Sequence, residues 1–137
     1  MGLLIYMGSG NRSGSATQET KYIKQIPEVD FEAEVKNSPT PVVVDFFATW
    51  CGPCKVLSPR LDEVAGAFTN QVKVVKVDVD QSPGLAREYA IEGVPTLLMF
   101  RGGKVTGRIV GVPQASALRA QFDSLTSGSV VSGQSAE

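Results

Sequence analysis

Histidine does not occur anywhere in the 137 residues, which removes the commonest metal ligand and the usual catalytic base. Tryptophan occurs once and cysteine twice, at Cys51 and Cys54. A bridge between positions so close closes a loop too small to constrain much of the unfolded chain, so a structural staple is a poor reading of the pair. The lack of further cysteines excludes a disulfide framework and is compatible with a reducing compartment. Zinc needs four ligands, and the rest of the chain supplies neither Cys nor His. Charge of one sign is also missing: 13 basic residues stand against 14 acidic ones, with no basic block, so a nucleic-acid partner is not expected. The longest N-terminal apolar run, Leu3 to Met7, is far short of the ~20 residues of a membrane span and lacks a signal peptide's charged flank. Met1-Gly2 suggests myristoylation, but Tyr6 stands where that pattern requires Ser or Thr.

What remains is the composition of one ordinary globular domain, 42% hydrophobic and 20% charged. Residues 1–20 read as a flexible extension, Gly/Ser-rich from Gly8 onward, whether native, a targeting remnant or a cloning-derived lead. Residues 127–137 read as a flexible tail. The domain is expected over 21–126.

Within it, a short strand is expected near Tyr22–Gln25 and a helix near Val29–Lys36, with Phe31 and Val35 at i, i+4 spacing. Ser38-Pro39-Thr40-Pro41 stops that helix. Val42 to Phe47 is a continuous β-prone run, the mark of a strand buried on both faces. Cys51-Gly52-Pro53-Cys54 follows and opens a helix with Leu57, Leu61, Val64, Ala65 and Phe68 on one stripe. Pro53 suits its first turn, whereas Pro59 falls inside it. A second β-rich run, Val72 to Val79, completes a strand–helix–strand unit with parallel strands. A short helix is expected over Pro83–Ala90. Two antiparallel strands, Thr96–Phe100 and Val105–Val110, flank the turn Arg101-Gly102-Gly103-Lys104. A last helix over Gln114–Leu125 completes an α/β fold, a mixed central sheet with helices on both faces.

The chemistry centres on C-x-x-C at a strand-to-helix junction. Unpaired N–H groups and the positive dipole end of the helix favour a thiolate at Cys51, the expected nucleophile. Cys54, one turn inward, can attack a mixed disulfide on Cys51 and release the partner. Asp45 interrupts an apolar strand; desolvation there raises a carboxyl's proton affinity and makes it a candidate acceptor for Cys54. Its alternative is an Asp at a strand margin reaching solvent or a backbone donor. Lys76 stands among valines in the neighbouring run, either packing its stem and influencing Asp45 or exposed as an ordinary lysine. Trp50 is either core or a partner-facing aromatic. Pro95 opens a strand, where proline is permitted, and only about 5–6% of X-Pro bonds in folded proteins are cis; base rates therefore predict trans.

Val44-Asp45-Phe46, Trp50-Cys51-Gly52-Pro53-Cys54-Lys55, Val77-Asp78-Val79-Asp80, Val94-Pro95-Thr96 and Gly111 stand in an order that resembles the thioredoxin family over about residues 22–126. The resemblance implies a thioredoxin fold with a four- or five-stranded mixed sheet, Cys51 exposed, Cys54 more buried and Asp45 beneath them. It implies that Lys76 neighbours this acid and that Pro95 is cis and faces the thiols. Trp50, Gly52, Pro53, Val94, Pro95, Gly111 and Val112 would then form the surface where client peptides lie. The implied activity is protein-disulfide reduction in cell redox homeostasis, by a monomer with no bound cofactor. Its implied partners are disulfide-containing clients and a thioredoxin reductase, NADPH-dependent by default or ferredoxin-linked in a photosynthetic source. The expected location is the cytoplasm, or an organelle stroma or matrix if the extension is a targeting remnant. An oxidant or isomerase usually carries a His between the cysteines, which Gly52-Pro53 does not supply. A binding or assembly module with incidental thiols is the alternative from another class. Many members have Trp where this chain has Phe47, so an indole donor is lost beside the site.

Overall fold

The computed structural model describes residues 20–128. The expectations for the N-terminal extension, and for the tail beyond Gly128, lie outside the described residues. The chain runs β1 (Lys24–Gln25), a 3-10 turn (Glu28–Asp30), a π-helical turn (Glu32–Lys36), β2 (Val42–Phe47) and α1 (Gly52–Ala67). It continues through β3 (Lys73–Asp78), α2 (Pro83–Glu88), β4 (Thr96–Arg101), β5 (Lys104–Val110) and α3 (Ala115–Ser127). α3 therefore includes Ser127, the first residue of the expected tail.

The five strands form one sheet in the order β1-β3-β2-β4-β5. β3 pairs parallel with β1 and β2, and the β2–β4–β5 side is antiparallel. All six residues of β2 are buried, because it is the middle strand and both its faces are covered. Alternation along the strands divides the apolar side chains into two clusters. Val43, Val74, Leu97, Met99 and Ile109 face Leu57, Leu61 and Val64 of α1 and Leu118, Phe122 and Leu125 of α3. Val42, Val44, Phe46, Val75, Val77, Leu98 and Phe100 face Phe31, Val35 and Leu85. Phe31, Tyr89 and Phe100 meet there at ring centroid distances of 5.5–5.8 Å, two of the three contacts edge-on.

The expected helix over Val29–Lys36 is helical in path but not α: a 3-10 turn passes into a π turn, with Asn37 N–H donating to the Glu32 carbonyl at 2.9 Å. Widening that turn still buries Phe31 and Val35 on one side. The hairpin turns on Gly102 and Gly103, at φ of 59° and 82°. Two successive left-handed residues make the tight two-residue connection that matches strand twist, and glycine adopts them without strain. At the same end of β4, the Arg101 guanidinium donates to the Ser124 and Leu125 carbonyls and ties α3 to the sheet.

Candidate active site

β2 ends at Phe47, two residues past Asp45, and four residues later Cys51 caps α1. Cys51 is extended, at φ −91° and ψ 111°, and its Sγ accepts the Cys54 N–H at 3.1 Å. The sulfur thus does the work of an N-cap oxygen on one of the helix's orphan donors. Pro53 sits in the first turn, where its missing N–H costs no intrahelical bond. Cys51 and Cys54 are joined as a disulfide with a Cα–Cα distance of 5.3 Å.

Gly52 and Pro53 are exposed, but Cys51 is 3% exposed and Cys54 6%. The expectations of an exposed Cys51 and a more buried Cys54 are therefore both corrected for this oxidised state. Phe47, Ala48, Val79 and Val94 pack around the two cysteines, and Cys51 Sγ lies 3.6 Å from the Val94 carbonyl. The Val94–Pro95 bond is cis, as the resemblance implies and against the base rate.

Asp45 is 3% exposed, which removes the strand-margin reading. No donor among the described residues reaches its Oδ1. Burial pushes its carboxyl up to about 7, against the opposing pull of the Lys76 charge. Lys76 is 6% exposed rather than an ordinary surface lysine. Parallel register places it directly beside Asp45, and its Nζ stands 4.6 Å from the centre of the Phe47 ring. Phe47 thus supplies an aromatic face to the buried ammonium.

Trp50 is 69% exposed, the partner-facing alternative, and its Nε1–H donates to Asp80 Oδ2 at 2.7 Å. Gly111, at φ 95°, donates its N–H to the Pro95 carbonyl at 2.9 Å. Val112 is partly buried and packs on the α1–α3 cluster, so its role is divided between core and surface. Sequence reasoning missed Arg60, whose Nη1 donates to the Pro113 carbonyl at 2.6 Å and pins the loop containing Gly111 and Val112. It also missed the part of Asp80 in orienting Trp50. Asp80 stood in the motif Val77–Asp80, but nothing local signals a bond across 30 positions.

A buried cysteine pair joined as a disulfide at a helix start, next in sequence to an exposed aromatic and following a strand that carries a desolvated carboxyl, defines a thiol–disulfide oxidoreductase. The thioredoxin family model matches residues 22–124, and the chain belongs to the thioredoxin family. It is similar to the thioredoxin of Allochromatium vinosum, 43% identical over 74% of this chain and 95% of that one. The thioredoxin of Pyropia yezoensis is 41% identical over 70% of this chain and 90% of its own. The chain also matches a bifunctional thioredoxin reductase/thioredoxin from Mycobacterium leprae at 46% identity, over 69% of this chain and 20% of that protein. The chain is accordingly a thiol–disulfide oxidoreductase with Cys51–Cys54 as its redox-active pair, and its family works with thioredoxin reductase. Among the described residues no helix is long and apolar enough to cross a membrane.

Proposed function

We propose that the reduced protein reduces client disulfides with Cys51 as attacker and Cys54 as resolver. The observation that carries this reading is the position of the pair: Cys51 Sγ is the acceptor at the first turn of α1, where partial positive charge favours a thiolate. The Cys51 thiolate attacks one client sulfur, forms the Cys51–client bond and expels the other client sulfur as a thiolate, which takes a proton. Asp45, ionised, accepts the Cys54 proton. The Cys54 thiolate then attacks Cys51 Sγ, breaks the mixed disulfide and frees the second client thiolate. Two electrons have passed to the client, and Cys51–Cys54 is left as the disulfide of this structure.

A thioredoxin reductase returns those electrons; the fused relative supports such a pairing. Clients lie across Trp50, Gly52, Pro53, Val94, Pro95, Gly111 and Val112. The Pro95 carbonyl is occupied by Gly111, so the Val94 backbone is the pairing edge for an extended client. Lys76 acts on the step through Asp45, and a monomer in a reducing compartment is sufficient for the cycle.

Reduction of insulin disulfides with dithiothreitol as electron source tests the activity: catalysis by the wild type should disappear in Cys51→Ser. Cys54→Ser should accumulate covalent client complexes. A folded Cys54→Ser protein that traps none overturns the assigned order of attack.

A further inference from the structure

Beside the thiols is a hollow of about 170 Å³ lined by Trp50, Val79, Ile91, Glu92, Gly93 and Val94. Sites for whole small molecules run to about 300–1,000 Å³, so this one is sized for a single side chain. It adjoins the reacting bond, because the carbonyl of its lining residue Val94 is 3.6 Å from Cys51 Sγ. One wall is the Trp50 indole, held by its bond to Asp80. Val79 and Ile91 are backed by the cluster of Phe46, Val77 and Leu85, which gives the hollow a supported apolar floor.

Its charge is one-sided. Glu92 is exposed at the margin, and among the described residues its carboxylate has no ion-pair partner. Asp80 adds a second carboxylate, bonded to the indole Nε1–H. The cation that approaches this segment, Arg108, is turned to the Tyr89 and Ala90 carbonyls. An apolar floor, an aromatic wall and an acidic rim suit a side chain with an aliphatic stem and a cationic head. An acidic side chain entering the same space would meet like charge.

We propose that this hollow receives a lysine or arginine side chain flanking the client's disulfide, and that Glu92 is the residue that selects it. The proposal rests on the reading that clients run along Val94. The test uses synthetic peptides with one intramolecular disulfide and a single variable neighbour of the first cysteine: Lys, norleucine or Glu. Wild type should give kcat/KM in the order Lys, norleucine, Glu, each step about two- to fivefold. Glu92→Gln should flatten the charge preference, and Glu92→Lys should place the Glu peptide first. Because each result is a ratio between peptides on one protein, an overall loss of activity in a variant cancels. Added salt should shrink the wild-type ratio, since the pair is at the surface. An unchanged order in Glu92→Lys, or equal rates for all three peptides in wild type, overturns the proposal while leaving disulfide reduction intact. Failure of folded wild type to reduce any of them overturns the underlying reading as well.

Discussion

The two faces of the sheet are buried to a similar depth and are built on opposite terms. Behind the sheet, Phe31, Val35, Phe46, Tyr89 and Phe100 close against Val42, Val44, Val75 and Val77, with aromatic edges meeting aromatic faces. On the other face, one strand step before Phe47, the same burial is imposed on a carboxyl with an unsatisfied oxygen and on the lysine beside it. The rear face shows what this chain does when stability alone is served. The front face keeps a desolvated acid that a hydrocarbon would replace at lower cost, and the difference marks where the domain has accepted instability for chemistry.

The largest test of this contrast strikes the rear face. Phe100→Ala removes a ring that touches Phe31 and Tyr89 and should cost about 3–5 kcal/mol in urea unfolding, with the rates of whatever remains folded little changed. On the front face Asp45→Asn should behave in the opposite way. The Asp45 carboxyl rises on folding from 3.8 to about 7, so the native state holds the proton more tightly than the unfolded chain. The Asp45 contribution to stability is therefore fully present below about pH 4, declines as pH rises toward 7 and then levels, by up to about 4 kcal/mol. Asp45→Asn should remove that component of the pH dependence while slowing release of the mixed disulfide; equal pH dependence of stability in both proteins would break the contrast. Lys76→Leu sharpens it further. Losing the cation that pulls Asp45 down should move the carboxyl's NMR titration midpoint to higher pH. The smallest effect is expected for Arg60→Met, which frees the Pro113 carbonyl. KM for a protein client should rise about two- to fivefold with kcat unchanged, alongside a stability loss of about 1 kcal/mol, and Arg60→Lys should restore part of the KM.

Those tests follow a division in what the residues made legible. The Val42–Phe47 run announced a strand buried on both faces, and Arg101-Gly102-Gly103-Lys104 announced its hairpin, because both signals are local. The i, i+4 spacing of Phe31 and Val35 identified their shared face but not the hydrogen-bond pattern beneath it; one extra residue per turn keeps both side chains inward. Asp45 was legible as an acid out of place in an apolar strand. The burial of Cys51 was not, since it depends on Val79 and Val94 arriving from elsewhere in the chain. The same holds for Arg60, Arg101 and Arg108, each of which donates to a carbonyl at least 19 positions away in its shortest contact. Sequence spacing carries no trace of such links.

The sheet's margins bear on how such a protein handles extended client backbone. β1 spans two residues, and β5 meets β4 through a register shift at Met99/Phe100 and carries Lys104 and Arg108 along its length. Short, irregular or charged borders are poor templates for strand addition. In the proposed reading, a client held in extended form is thereby discouraged from growing onto the flanks of the sheet, and capture is biased toward the few backbone atoms beside Cys51. On that reading productive turnover is a matter of topology as much as reactivity, because the borders offer an unfolded chain little on which to nucleate aggregation.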